Sequence, residues 1–448
     1  MDKKHDFTQG NIGKQLITFS VPIMLTNLLQ LSYQFIDSLW VGNLIGDNAL
    51  GAVAIASTAI NVALAFILGI NNATLTILSQ QRAKEDESGL VRYLNAFVVL
   101  LIGLSLIAGL MGFVFAENIL IQLNTPREMM ADAKSYLQIN SLGIVFLIGY
   151  NFISTVMRAV GDSKTPLKIV LGAVILNAVL DPFFISVFNL GVSGAAMATI
   201  LSQGISFLGG LYYVFDNKLV PFSRPRIPAK EEVLIILKLG IPSGLQRSVI
   251  SAGSAAIMSV INSFGPAVVS GYSAAGRLDG LIMLPAHSLG TASNSMAGQN
   301  IGAKKWDRVY KIARYGLIIN IVIMLPIALL VFIFAEPAVK LFIQEVDAIA
   351  FAKMYLRTIA FFYPFLGINF ILNGVVRGSG AMFQVLVLNI ISFWVLRFPL
   401  TSLFSSLLGE SGIALGMGVS FVISSVFASL YYRFGGWRNK ELFDTSKE

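Results

Sequence analysis

The sequence predicts an all-α polytopic membrane protein in which twelve transmembrane helices form two pseudo-symmetric six-helix lobes. Apolar runs of about 20 residues recur along the 448-residue chain, and such a run crosses the hydrocarbon core of a bilayer as one helix. Only 12% of the residues are charged, against about 25% in soluble domains, and the mean hydropathy is +0.75. The third observation is an internal repeat. Together they leave no room for a sizeable soluble domain.

Twelve spans follow one another with short polar connections. Their predicted ranges are 15–41, 50–79, 93–116, 133–157, 166–188, 193–215, 232–262, 266–298, 310–335, 348–376, 382–407 and 411–434. The loops on one side and the two termini hold 24 of the 32 Lys and Arg residues, and the other loops hold four. Because basic residues collect on the cytoplasmic side, both termini are expected in the cytoplasm, with the chain in the cell (inner) membrane.

The two halves of the chain repeat short motifs in the same order. Ser20-Val21-Pro22 corresponds to Gly240-Ile241-Pro242, Phe115-Ala116-Glu117 to Phe334-Ala335-Glu336, Tyr136-Leu137 to Tyr355-Leu356, and Arg158-Ala-Val-Gly161 to Arg377-Gly-Ser-Gly380. Six spans per half give both copies the same orientation, which suits alternating access. The predicted division is an N-lobe over 1–215, a cytoplasmic linker over 216–231 and a C-lobe over 232–448.

Polar side chains form a stripe along the first span. The stripe recurs at steps of three and four residues, which places its members on one helix face: Asn27, Gln30, Tyr33, Gln34 and Asp37. An ionised carboxylate at bilayer depth costs several kcal/mol on most estimates, so it is rare there unless it is used. The stripe is therefore predicted to face the protein interior or a wet cavity.

A second polar group lies in spans 4 to 6. Asn177 and Asp181 are four residues apart in span 5, and Pro182 removes a backbone donor, which predicts a bend. Asn151 lies late in span 4 and Thr199 lies in span 6. Polar groups of this kind also join helices by packing, so Asn151 and Thr199 suit either role.

A functional role is favoured for the acids of the first half, because no cationic residue lies one turn from Asp37 or Asp181.

The second half of the chain has a different set of charged residues within its spans. Arg277 and Asp279 are two residues apart in span 8, so they lie on different helix faces and are expected to pair with other helices. Arg247 and Arg397 line a cavity, reach an interface or pair with an acid, and these alternatives stay open. Met283 is expected to contribute to an adaptable apolar pocket for substrate.

Several functional classes are excluded by what the sequence lacks. It has no cysteine and two histidines, and it carries no Walker loop, Gly-x-Ser-x-Gly elbow or His-Glu-x-x-His motif. The chain is therefore expected to be no enzyme, to need no cofactor and to be driven by an ion gradient. The net charge of +8 is explained by the loop bias, so nucleic acid is not an expected partner.

The chain resembles the MATE (multidrug and toxic compound extrusion) family, and within it the DinF-like branch. The resemblance is carried by Ser20-Val21-Pro22, Asp37-Ser-Leu-Trp-Val-Gly42, Met157-Arg-Ala-Val-Gly-Asp162 with Thr165-Pro166, Asn177-x-x-x-Asp181-Pro182 and Val376-Arg-Gly-Ser-Gly380. It covers essentially the whole chain. It implies a V-shaped, two-lobed fold related to the MOP flippases, and export of cationic amphipathic compounds in exchange for protons or sodium.

The resemblance also implies particular site residues. The family's ion and proton site maps onto Asp37, Asn177, Asp181 and Thr199, with Na⁺ an option at the two acids. Substrate is expected near Tyr33, Gln34, Asp37, Asn151 and Met283. Some branches carry acids in spans 7 and 10. This chain has Gln246, Arg247, Asn369 and Asn373 there, so coupling is expected to rest on the N-lobe.

The expected mechanism is proton-coupled multidrug antiport by a monomer. Asp37 is the hypothesised drug- or proton-responsive carboxylate, and Asp181 is the main ion site. A lipid-linked precursor flippase of the same superfamily is the alternative, because a basic cavity formed by Arg247, Arg277 and Arg397 would suit a pyrophosphate.

Overall fold

The computed structural model describes residues 6–84, 87–221 and 225–443, with only the backbone at 63, 65, 66 and 68, and all regular structure in these ranges is helical. The helices are α1 (Ile12–Leu44), α2 (Asp47–Ala83), α3 (Glu87–Val114), α4 (Ala116–Gln122), α5 (Met130–Ala159), α6 (Lys164–Pro182), α7 (Gly191–Asp216), α8 (Lys230–Asn262), α9 (Pro266–Ile282), α10 (Leu284–Gly302), α11 (Trp306–Val339), α12 (Val346–Ile359), α13 (Tyr363–Gly378), α14 (Met382–Ile390), α15 (Phe398–Leu408) and α16 (Ser411–Phe434).

Ten helical segments of the described chain are long and apolar enough to cross a membrane. The 37-residue α2 and the α9–α10 pair occupy the second and eighth predicted spans. The eighth span is interrupted at Met283, because Pro285 near the start of α10 has no N–H to continue the hydrogen-bond ladder. The predicted all-α membrane fold is confirmed.

Two spans contain π-helical segments, one in each half of the chain. In span 5, Phe183–Val187 follows directly after Pro182, at the position where the sequence predicts a bend. In span 11, Ile391–Arg397 joins α14 to α15. A π-turn widens the helix locally and is frequent at functional sites, so both segments are of interest.

The first compact unit contains Leu25–Gly244. Its core joins α2, α5 and α7 through small and apolar side chains such as Ala52, Ala56, Leu137 and Ala196. The backbones of α2 and α8 touch in this unit, because a Cβ atom at Gly69 would lie 2.2 Å from the Gly244 nitrogen.

The second compact unit contains Phe7–Met24 together with the chain from Leu245 onward. Thus α1 and α8 each contribute residues to both units. The seam between α10 and α13 is again made by glycine, because a Cβ atom at Gly374 would lie 2.2 Å from the Gly290 carbonyl oxygen.

The segment that precedes α1 is anchored on the second unit by Arg308. The guanidinium nitrogens of this arginine donate hydrogen bonds to the carbonyls of Phe7, Gln9 and Gly10 at 2.9–3.0 Å. The Asn300 amide nitrogen also donates to the Phe7 carbonyl, at 3.0 Å. These contacts hold the start of the chain on α10 and α11.

Candidate functional site

The first span directs Tyr33 and Asp37 into the interior of the first unit. They lie one turn apart on α1, as the polar stripe predicts, and Asp37 is only 7% exposed. The Tyr33 hydroxyl donates to the backbone oxygen of Thr199 on α7, at 3.5 Å. This contact joins Tyr33 of the stripe to α7.

The fifth span provides the second carboxylate. Asn177 and Asp181 are fully buried, and the Asn177 amide nitrogen donates to Asp181 Oδ1 at 3.0 Å. Pro182 follows and has no N–H, so the Ala178 carbonyl loses its α-helical donor and the chain passes into the π-turn. Asp181 therefore lies at the point where the helical ladder changes.

Asp37, Asn177, Asp181 and Thr199 form what we call the acid cluster. Asp37 and Asp181 are close enough for their charges to interact, and Tyr33 is within electrostatic range of both. None of the ion pairs found in the described chain involves either acid. The structure thus brings together four residues that the resemblance assigns to one site.

Each member of the acid cluster has a buried oxygen atom with no hydrogen-bond partner in the described chain. These atoms are Asp37 Oδ1, Asn177 Oδ1, Asp181 Oδ2 and Thr199 Oγ1. An unsatisfied buried polar group costs about 1–3 kcal/mol, and more when it is charged. Four oxygen acceptors of this kind in one unit form a site that a proton or a small cation would stabilise.

Tyr136 is a member of this neighbourhood that sequence reasoning did not assign to it. It lies on α5 and is 5% exposed, and its side chain lies near the Asp37 carboxylate and near Ser57 on α2. The only sequence signal is the repeat motif, in which Tyr136 corresponds to Tyr355. That signal concerns duplication and does not indicate a partner.

With this geometry known, comparison with other proteins decides the family. The profile of the MatE family matches residues 22–183 and 242–403, so it matches once in each half and begins at Pro22 and Pro242. The chain belongs to the MatE family. The repeat predicted from short motifs is consistent with this double match.

Relatives of this MatE chain are membrane transporters. "Probable multidrug resistance protein YpnP" of Bacillus subtilis is 60% identical over 441 residues, which are 98% of this chain and 99% of YpnP. "Probable multidrug resistance protein NorM" of Thermotoga maritima is 25% identical, covering 96% of this chain and 94% of its own. This chain is therefore a membrane transporter of the MatE family and is not an enzyme.

A solved structure gives the same fold. The outward-facing conformation of a multidrug resistance MATE family transporter of the MOP superfamily matches with a TM-score of 0.90 at 23% identity. The match covers 97% of this chain and 98% of that one. Assignment to the DinF-like branch stays a prediction.

The residues predicted to contact substrate lie in different places in this MatE chain. Gln34 is exposed on α1. The Asn151 amide nitrogen donates to the Leu147 carbonyl one turn earlier, at 2.8 Å, and so serves its own helix. Met283 belongs to the second unit, where it packs against the apolar core. Of the predicted substrate residues, Asp37 belongs to the acid cluster and Tyr33 lies within electrostatic range of its two acids.

The second unit contains an acid in a very different setting. Asp279 on α9 accepts hydrogen bonds from the Tyr355 hydroxyl at 3.3 Å and from the Tyr363 hydroxyl. One tyrosine faces each carboxylate oxygen. Asp279 and Arg277 do not share a helix face, as their spacing predicts, and Arg277 instead lies over the Phe342 ring.

A separate apolar cavity of about 290 Å³ lies between α3, α5 and α7 of the first unit. Its wall is formed by side chains such as Leu101, Ile148, Phe152 and Phe207, and it includes no residue of the acid cluster.

Proposed function

We propose that this MatE chain is a proton-coupled antiporter that exports cationic amphipathic compounds by alternating access. The names of its relatives support drug export in general. The acid cluster supports the cationic character of the substrate and the use of a cation for coupling. Asp181 is the main ion site in this proposal, and Asp37 is the carboxylate that responds to drug or proton.

The observation that carries the proposal is the set of unpaired oxygens in the acid cluster. Two carboxylates in one water-poor site repel each other when both are ionised, so binding of one positive charge is favourable. A proton and a cationic drug would then compete for the same negative charge. Such competition is reciprocal, which is the thermodynamic requirement for exchange of one for the other.

A proton is preferred here as the coupling ion because it relieves the repulsion without further ligands. The alternative coupling ion is Na⁺. Its ligands would be the carboxylate, amide and hydroxyl oxygens of Asp37, Asp181, Asn177 and Thr199. We expect no resident cofactor in either case.

The orientation proposed for this transporter rests on the distribution of basic residues. The bias of Lys and Arg toward one set of loops supports cytoplasmic termini and insertion in the cell membrane. We expect it to act as a monomer, with the lipid bilayer and small cationic drugs as its partners and without nucleic acid.

Everted membrane vesicles test the coupling directly. Adding ethidium to energised vesicles that contain the wild-type protein should discharge the proton gradient, and sodium should not replace the proton. Asp37→Asn and Asp181→Asn should each remove this response. Asp216→Asn, the same change at an exposed position on the first unit, should leave it intact. Full discharge by both cluster variants at normal expression would refute the assignment.

The lipid-linked precursor flippase is the alternative function, and the buried Arg397 is the observation in its favour. The other two candidate arginines, Arg247 and Arg277, are exposed on the second unit. Purified protein that binds ethidium tightly supports the drug exporter. Absence of ethidium binding together with binding of a lipid pyrophosphate would support the flippase.

A further inference from the structure

Arg397 is a charged residue in the interior of a membrane span. It ends the π-helical segment Ile391–Arg397 and lies near the middle of the 27-residue span Met382–Leu408, with 6% of its surface exposed. An arginine at such depth costs about 2.5–3.5 kcal/mol on insertion scales and more on other estimates. Arg397 therefore needs a stabilising environment or a function.

Two aromatic rings supply part of that environment. The guanidinium carbon of Arg397 lies 3.8 Å from the centre of the Phe393 ring and 4.5 Å from that of the Phe421 ring. Cation–π contacts of this kind contribute about 0.5–2 kcal/mol each. Ring faces attract the positive charge, but they do not accept the in-plane hydrogen bonds that a guanidinium group offers.

Part of the hydrogen-bonding capacity of Arg397 is unused. Its Nε and Nη2 atoms are buried and have no hydrogen-bond partner among the described residues. Buried donors that are left unpaired cost about 1–3 kcal/mol each, and more when they are charged. The missing partner is an acceptor, and a negatively charged one would also compensate the charge.

No anion that pairs with Arg397 is found among the described residues of the second unit. Tyr272 and Tyr355 lie within electrostatic range of Arg397. Tyr355 in turn contacts Asp279, whose oxygens face the hydroxyls of Tyr355 and Tyr363. The ion pairs found in the described part of this unit all involve Glu336, so none joins Asp279 to Arg397.

The π-helical segments of the two units carry opposite charges. In the first unit, Asp181 precedes the π-turn and has an unpaired acceptor. In the second unit, Arg397 ends the π-segment and has unpaired donors. Unpaired acceptors beside a negative charge favour a cation in the first unit. Unpaired donors on a positive charge favour an anion in the second unit.

We infer that Arg397 and the rings of Phe393, Phe421 and Tyr272 form a binding site for an oxyanion carried on an apolar or aromatic body. Guanidinium groups bind carboxylates and phosphates through two parallel hydrogen bonds, and the rings would pack against the apolar body. The oxyanion comes from a soluble organic anion or from the headgroup of an anionic lipid. This site goes beyond the proposed function and uses none of the residues of the acid cluster.

Matched naphthalene probes test the site in purified full-length protein in phosphatidylcholine nanodiscs. Equilibrium dialysis would compare 2-naphthoate with 2-naphthyl-trimethylammonium, which has the same aromatic body and the opposite charge. Arg397→Gln should weaken naphthoate binding about tenfold or more and leave the cation unaffected. Arg397→Lys should give an intermediate affinity, because it keeps the charge and loses the two-pronged hydrogen bond.

Arg357 offers a matched control within the same unit. Its guanidinium lies 5.2 Å from the Phe332 ring, and its Nε donates to the Phe332 carbonyl at 2.9 Å. Arg357→Gln therefore removes an arginine from an aromatic contact away from the site, and naphthoate binding should not change.

A second membrane composition separates the two sources of the oxyanion. If the source is lipid, phosphatidylglycerol in the nanodiscs should weaken naphthoate binding to the wild type and not to Arg397→Gln. Equal binding to the wild type in both membranes indicates a soluble anion. Both results support the site, provided that Arg397→Gln binds naphthoate more weakly than the wild type does.

The site can also be tested in the wild-type protein, without any substitution. Photoactivated 4-benzoylbenzoate should label Phe393, Phe421 or Tyr272 of the wild-type protein, as read by mass spectrometry, and excess naphthoate should prevent the labelling. Labelling confined to other regions would overturn the inference. So would equal naphthoate affinity of the wild type and a folded Arg397→Gln variant, or absence of naphthoate binding to the wild type in both membranes.

Discussion

The two units of the molecule each hold acid side chains close to tyrosines, but the hydrogen bonding of these acids differs. In the first unit, Asp37 and Asp181 each have a buried oxygen atom that lacks a partner. In the second unit, the two oxygens of Asp279 accept hydrogen bonds from two tyrosine hydroxyls. Tyr136 and Tyr355 correspond in the internal repeat; Tyr355 donates a hydrogen bond to Asp279, whereas Tyr136 lies near Asp37.

This difference shows which acid is available to exchange charge. A carboxylate with hydrogen bonds to both oxygens is stabilised by the protein itself, and a new cation would have to displace those donors. A carboxylate with an unpaired oxygen gains most from an added proton or cation. The duplicated fold therefore has acids of two kinds, and those of the first unit are the candidates for coupling.

The largest expected effect comes from neutralising the acids of the two units. Asp37→Asn and Asp181→Asn should lower resistance of drug-sensitive cells to a cationic dye by about tenfold or more, because the competing charge is lost. Asp279→Asn should keep most of the resistance. The comparison fails if Asp279→Asn is as damaging as the other two at equal expression and equal thermal stability.

The repeat-related tyrosines should separate transport from stability. Tyr355→Phe removes a hydrogen bond to a carboxylate, so it should lower the free energy of unfolding by about 1.5–3 kcal/mol while transport continues. Tyr136→Phe removes a hydroxyl that lies near Asp37 and should mainly alter transport. Thermal unfolding in detergent and dye efflux in cells measure the two effects, and identical profiles for both variants would contradict the distinction.

The glycine seams should behave alike in the two units. Gly69→Ala and Gly374→Ala each place a Cβ atom 2.2 Å from backbone of a neighbouring helix, so each should cost about 1–3 kcal/mol of stability. Gly276→Ala is the control, because nothing lies within 4 Å of its Cβ position. An unfolding midpoint that is equal for Gly374→Ala and Gly276→Ala would show that the seam is looser than described.

The smallest effect is expected at an exposed ion pair. Lys134 donates to Glu117 at 2.7 Å, and this hydrogen bond holds the pKa of Glu117 below its usual range. Glu117 therefore contributes to stability above its unfolded-state pKa, and the contribution is lost as pH falls through the lowered folded-state value. Glu117→Gln should lower the unfolding midpoint slightly at neutral pH and not at acid pH. If the difference in unfolding midpoint between the wild type and Glu117→Gln grew as the pH fell, the stated pH dependence of the Glu117 contribution would be wrong.

The fold was predictable because its signals are periodic. Long apolar runs indicate spans whatever their neighbours are, and the Asn177–Asp181 spacing indicates a shared face on one helix. Pro182 likewise indicates a local change in the helix, since the loss of its N–H is a property of the residue itself.

The remainder of the site depends on contacts between helices that sequence spacing does not encode. Tyr136 and Asp37, which lie near each other, are 99 positions apart in the chain. The tyrosine partners of Asp279 and the aromatic rings around Arg397 are likewise contributed by other spans or by a π-turn that changes the helical register. The placement of Asn151 beside the substrate stays a prediction, and the structure shows its amide nitrogen donating to the carbonyl one turn earlier.

Proton release on drug binding tests the central claim most directly. Ethidium would be added to purified protein in weakly buffered solution, and released protons would be followed with a pH indicator. The wild type should release protons in proportion to dye bound, and Asp279→Asn should behave the same way. The Asp37→Asn/Asp181→Asn double variant should release none. Proton release by the double variant equal to that of the wild type would contradict the assignment of coupling to the first unit.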